Sequence, residues 1–128
     1  MNVPSGTYRL QFSGLFNFRM AQNILPYLEE LGISHIYASP IFKSSQGSSH
    51  GYNVVDHNSL NNEIGPESDF GSLIESVRNR GMFWLQDIVP NHMAFDYDNK
   101  MLIDVLEKGQ RSEFFSFFDI DWEHAYDN

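Results

Sequence analysis

The chain has no cysteine, which excludes disulfides and thiolate metal sites and fits a reducing compartment. Basic charge is scarce: eight Lys and Arg stand against seventeen Asp and Glu, for a formal charge of −9, and no stretch clusters the basic residues. A nucleic-acid or anionic-membrane surface needs such a cluster, so neither partner is expected. No run approaches the ~20 apolar residues of a membrane span. The start, Met1-Asn2-Val3-Pro4-Ser5-Gly6, lacks the basic and apolar regions of a secretion signal, and the expected location is cytoplasmic. What is present is a globular composition, 41% hydrophobic and 15% aromatic over 128 residues, enough for one small domain with a core.

Chemistry concentrates in one stretch, Phe83 to His92. Phe83, Trp84, Leu85, Ile88 and Val89 form an apolar run between Gly81 and Pro90, the pattern of a strand covered on both faces. Asp87 interrupts the run, and Asn91 and His92 follow its end. In parallel α/β folds ligands sit at the carboxyl ends of strands, which makes these three residues binding candidates.

The rest of the chain alternates strands and helices. Thr7 to Phe12 sets Thr7, Arg9 and Gln11 against Tyr8, Leu10 and Phe12, the period of two of a first strand. Phe18 to Leu31 carries Ala21, Ile24, Leu25, Leu28 and Leu31 at helical spacing, with Pro26 expected to kink or split it. Ile33 to Ser39 reads as a second strand, with His35 as a core histidine bonded to a neighbour. Lys43 to Gly65 is polar and rich in Ser, Asn and Gly, and reads as a long loop, functional or disordered. Within it, Tyr52 between His50-Gly51 and Asn53 can offer a ring face to a sugar or base. Pro66 to Arg80 is a second helix, with Pro66 at its first position and an apolar stripe of Phe70, Leu73, Ile74 and Val77. The order β-α-β-α-β implies a parallel sheet. Beyond His92, residues 99–108 form a helix, and the aromatics of Phe114 to Trp122 read as subdomain core rather than a stacking platform.

Three stretches then resemble a known family. Leu31 to Pro40, His50-Gly51-Tyr52-Asn53-Val54-Val55-Asp56 and Gln86-Asp87-Ile88-Val89-Pro90-Asn91-His92-Met93 are similar, in order and spacing, to signatures of the α-amylase family of glycoside hydrolases. Ser5 to Phe12, Leu25 to Gly32, Asp104 to Gly109 and Phe117 to Trp122 resemble one branch of it, whose members turn the reducing-end α-1,4 linkage of a maltooligosaccharide into an α,α-1,1 (trehalose) linkage. The resemblance implies the amino-terminal part of a (β/α)₈ TIM barrel, about three βα units over residues 1–92. It implies the start of an inserted subdomain over 93–128. Three strands do not close a barrel, so the missing remainder of the barrel is an expected partner. The catalytic carboxylates of the family lie on later strands, and none is expected in this chain.

What the resemblance carries over is binding of a maltooligosaccharide. Tyr52 matches a tyrosine that stacks under the sugar ring, and His92 a histidine that hydrogen-bonds the same sugar. Asp87 and Asn91 match a supporting region, and His50 flanks it. On these roles Tyr52→Phe is mild and Tyr52→Ala severe. Asn53 stands where the family usually has Asp, which loses a charge. No cofactor and no metal is expected, because a neutral imidazole at His92 is a poor calcium ligand. A different class is a small flavodoxin-like module complete at this length. Against it, Ser13-Gly14-Leu15-Phe16-Asn17 has one glycine and no Gly-x-Gly to cradle a phosphate. An inactive truncated product is the third reading.

Overall fold

The computed structural model describes residues 3–123. Met1 and Asn2, in the stretch searched for a signal, and residues 124–128 of the expected subdomain lie outside the described residues.

The element order is β1 (Thr7–Leu10), α1 (Phe18–Glu30), β2 (His35–Ala38), β3 (Phe42–Ser44), β4 (Val54–Leu60), α2 (Glu67–Asn79), β5 (Phe83–Gln86) and α3 (Lys100–Lys108). Two short 3₁₀ turns, Gly109–Arg111 and Phe115–Phe117, follow. β1, β2 and β5 form a parallel sheet in the order β1-β2-β5. The β-α-β-α-β order read from periodicity is this sheet with its two helices.

The period of two decides which residues meet the helices. Leu10, Ile36 and Ala38 are buried and Trp84 packs against them, under Phe18, Ala21, Leu25, Leu28, Leu73 and Val77 of the helices. Phe12 continues the face: its ring lies 5.5 Å from Phe18 and 5.8 Å from Trp84. Truncating one such buried leucine typically costs 2–5 kcal/mol, and Leu25→Ala belongs in that range. Arg19 with Asp69 and Arg80 with Glu29 tie the helices at their rims. Gly32 and Gly81 end α1 and α2 with positive φ, turning the chain directly into β2 and β5.

Several expectations need correction. Pro26 does not split α1: the helix runs through it. Pro26 lies on the exposed side, where water can satisfy the carbonyl it leaves unpaired. Pro66 is the N-cap of α2 rather than its first helical residue. The polar stretch from Lys43 to Gly65 is not one long loop, since β3 and β4 pair antiparallel within it. Val54 and Val55 anchor that ribbon in the interior and Leu60 packs against the core, while Asp56, His57, Asn58 and Ser59 between them are polar. Finally, β5 is not covered on both faces. Phe83 is 41% exposed and Leu85 39%, because β5 is a sheet edge and helices cover one face only.

Among the described residues no helix covers the opposite face, which is bare in that sense. By alternation and register it carries Thr7 and Arg9 of β1, His35 and Tyr37 of β2, and Phe83 and Leu85 of β5. His35 is buried as expected, with Nδ1 2.9 Å from Ser34 Oγ and its ring stacked on Phe83. The aromatics after α3 pack on one another, Phe114 on Phe117 and Phe115 on Trp122. They form less of a core than expected, for Phe117 stays 64% exposed.

Candidate functional site

The carboxyl ends of the three parallel strands lead into the segments that carry the candidate residues. Asp87 continues the alternation of Phe83 and Leu85, so its side chain emerges on the bare face. Its backbone N–H still donates to Ala38, which fixes the side chain's origin. Two phenols converge on Asp87 Oδ2: Tyr37 donates at 3.1 Å and Tyr52 at 2.5 Å.

Tyr52 reaches this point from the segment joining β3 and β4. That segment is closed on itself: Ser45 N–H donates to the Asn53 carbonyl, and Gly51 N–H donates to Ser48 Oγ. Ser48 in turn donates to Asn53 Oδ1 at 2.5 Å. Among the described residues the side-chain partner of Asn53 is thus a neutral hydroxyl, and an amide oxygen serves it without charge. Gly51 is buried with φ +77°, and a Cβ there would sit 2.7 Å from the Pro40 carbonyl oxygen. Only glycine lets the loop approach the end of β2 this closely.

His50 supports Tyr52 rather than standing apart from it. Its Nδ1 accepts the Tyr52 backbone N–H at 3.0 Å, which puts the proton of a neutral ring on Nε2. The two rings lie nearly parallel with centroids 6.0 Å apart.

Three residues that sequence reading left out complete the cluster. Arg9 donates from Nη2 to Tyr52 Oη at 3.1 Å and from Nη1 to Gln11 Oε1 at 2.8 Å. Its guanidinium carbon lies 5.6 Å from the centroid of the Tyr37 ring. Gln11 Nε2 donates to the His50 carbonyl at 3.1 Å. The available signal was the polar half of the β1 alternation: Arg9 and Gln11 share the face on which Asp87 emerges. Asp87 raises the Tyr52 pKa by accepting its hydroxyl, and the opposing hydrogen bond from Arg9 lowers it less. Tyr52 is a neutral donor at physiological pH.

Asn91 and His92 do not join this cluster. Both are exposed past β5 and make no side-chain hydrogen bond among the described residues. Their segment is nevertheless held. His57 of β4 donates from Nε2 to the Val89 carbonyl at 3.0 Å, and Ala94 N–H donates to the Val54 carbonyl at 2.8 Å. Val89 itself is buried. Among the described residues no three His, Asp or Glu side chains converge as a metal site, and no helix is long and apolar enough to cross a membrane.

The site is a sheet face with a carboxylate, a guanidinium, two phenols and an amide at the strand ends. Such a surface suits a neutral ligand rich in hydroxyls beside an aromatic ring. The family described as alpha amylase, catalytic domain, matches residues 21–123, and the chain belongs to that family. It is the amino-terminal segment of the family's barrel, not a flavodoxin-like module.

Within the family several kinds of enzyme are similar to the chain, among them 4-alpha-glucanotransferases and a neopullulanase over 64–76% of it. A Mycobacterium tuberculosis protein named as a maltooligosyl trehalose synthase is 42% identical over 124 residues, covering 91% of this chain and 16% of its own length. The solved maltooligosyltrehalose synthase of Arthrobacter ramosus is 46% identical, with a TM-score of 0.89 over 94% of this chain and 16% of that one. The trehalose-6-phosphate hydrolase of Bacillus licheniformis superposes with a TM-score of 0.76 at 26% identity, over 88% of this chain and 21% of that one. The chain thus spans about a sixth of the length of the synthases it matches.

Proposed function

We propose that this chain is the amino-terminal segment of a maltooligosyl trehalose synthase and that it supplies part of the floor of the sugar-binding site. The observation that carries this reading is the reach of the similarity. Identity to such synthases stays at 42–46% over nine-tenths of the chain, but falls to 26% against the trehalose-6-phosphate hydrolase. We assign residues 1–92 to the barrel and 93–128 to the start of a subdomain inserted after β5. The remaining strands come from the rest of a longer polypeptide.

The proposed substrate is a maltooligosaccharide. Tyr52 stacks under the ring at the scissile linkage, with Asp87 and His50 holding the tyrosine in place. His92 hydrogen-bonds a hydroxyl of that ring, and Asn91 beside it belongs to the supporting region of the site. Converting an α-1,4 into an α,α-1,1 linkage retains the anomeric configuration. Retention calls for two displacements by way of a glycosyl-enzyme, with a carboxylate nucleophile and a carboxylic acid ~5–5.5 Å apart. In the second displacement the freed glucose attacks through its anomeric hydroxyl in place of water. The nucleophile and the acid belong to later strands, and this segment contributes binding and orientation. The location is cytoplasmic and the product serves trehalose synthesis.

The test is reducing-end accounting on the full-length protein. With maltopentaose, isomerisation removes reducing ends without changing sugar number and yields a trehalose-capped pentasaccharide. Hydrolysis instead creates reducing ends, and that result would refute the assignment.

A further inference from the structure

We propose that Arg9 is the positioning residue of this face: it fixes the Tyr52 loop at two points and dictates which way the Tyr52 hydroxyl points. This deepens the sugar-binding reading above and rests on it. The first point is direct. Arg9 Nη2 donates to Tyr52 Oη, and a guanidinium can only donate. The single hydroxyl hydrogen of Tyr52 is therefore directed away from Arg9, to Asp87 Oδ2. The second point runs through Gln11. Because Arg9 Nη1 donates to Gln11 Oε1, the amide must present Nε2 on its other side, where it holds the His50 carbonyl two residues before Tyr52. The Tyr37 ring beneath Arg9 fixes the plane of the fork.

Packing alone does not explain an arginine here. Arg9 is exposed in the described residues, and its partners are a phenol, an amide and a ring face rather than a carboxylate. Its charge is matched to Asp87 through the shared phenol. An ammonium cannot replace it, since its three donors share one nitrogen and lack the planar fork that spans Gln11 and Tyr52 from two nitrogens.

The experiment uses the full-length protein with Arg9→Ala and Arg9→Lys. It measures kcat and KM on maltopentaose and amide hydrogen exchange across residues 50–53. A misplaced positioning group costs about a hundredfold. Arg9→Ala is expected to lose about that in kcat/KM, chiefly in kcat, with faster exchange at 50–53 and an unchanged melting temperature. Added methylguanidinium is expected to restore part of the Ala variant's rate, and Arg9→Lys to recover little. Wild-type rates with unchanged exchange would overturn the proposal. So would a loss that methylguanidinium does not lift, accompanied by a lower melting temperature. If the wild-type protein does not isomerise maltooligosaccharides, the sugar-binding reading fails. The exchange measurement then still decides whether Arg9 holds the loop.

Discussion

Tyr52 donates its hydroxyl to Asp87 Oδ2 at 2.5 Å, joining the β3–β4 loop to the residue just past β5. The Tyr52 hydroxyl oxygen itself accepts from Arg9, so one phenol bridges two opposite charges. The hydroxyl is therefore engaged, not only the ring. In the full-length protein Tyr52→Phe is expected to cost about tenfold in kcat/KM, the equivalent of one modest hydrogen bond. That is more than a role in stacking alone allows. Tyr52→Ala removes the ring as well and is expected to cost far more. Equal rates for wild type and Tyr52→Phe would show that the bridge is idle.

Gly51→Ala tests the loop's seat. The new Cβ would meet the Pro40 carbonyl oxygen at 2.7 Å, in a backbone conformation that itself costs an alanine about 1–2 kcal/mol. The variant is expected to keep the α1–α2 core, lose exchange protection at 50–53 and bind maltooligosaccharide more weakly. Normal binding would mean that the loop tolerates displacement.

Leu85→Lys separates this chain from the barrel. The bare face is open here, so in the 128-residue polypeptide the lysine meets water, removes an apolar group and should raise solubility and lower dye binding. In the full-length protein the same residue points into the barrel interior, where an unpaired charge is expensive, and folding yield should collapse. Equal effects in both contexts would mean that this face is not interior. Without the substitution, the open β5 edge and bare face should make the short polypeptide prone to association and silent on maltopentaose.

Asp56 sets an acid limit on the β3–β4 ribbon. The Ser59 hydroxyl at 2.6 Å, and then the Asn58 N–H, hold its pKa below the usual 3.8. The folded state thus gives up this proton more readily than the unfolded one. The contribution is fully present above the unfolded value and is lost as pH falls through the lower folded value. Urea midpoints of wild type and Asp56→Asn should differ at neutral pH and converge in strong acid. A constant gap down to pH ~2 would remove Asp56 from the explanation.

Much of this fold was legible because period carries it. The alternation of Thr7 to Phe12 and the stripe from Ala21 to Leu28 follow from sheet and helix geometry, whatever surrounds them. β4 was not legible, since Asp56, His57, Asn58 and Ser59 look like loop until their antiparallel partner is known. The exposure of Phe83 and Leu85 was also hidden: an apolar run announces burial but not whether the covering layer lies in the same stretch of chain. Within the site, Tyr52 and Asp87 could be named from their motifs, while Arg9 could not. Arginine on a polar strand face is ordinary, and only the sheet register brings it to Tyr52.

His92→Ala asks whether the imidazole acts in the transition state. A hydrogen bond to a sugar hydroxyl that strengthens as the ring distorts lowers the barrier, so kcat and kcat/KM should fall together by roughly 2–4 kcal/mol. The melting temperature should hold, because His92 is exposed and makes no side-chain hydrogen bond among the described residues. Unchanged kcat with reduced stability would make it a structural residue.

The most direct measurement is a crystal structure of the full-length protein with a bound maltooligosaccharide. One glucose ring is expected to lie flat against Tyr52, with a hydroxyl within hydrogen-bond reach of the His92 imidazole and Tyr52 still bridging Arg9 and Asp87. A sugar bound elsewhere in the barrel, leaving Tyr52 and His92 untouched, would contradict the assignment of this face as the floor of the site.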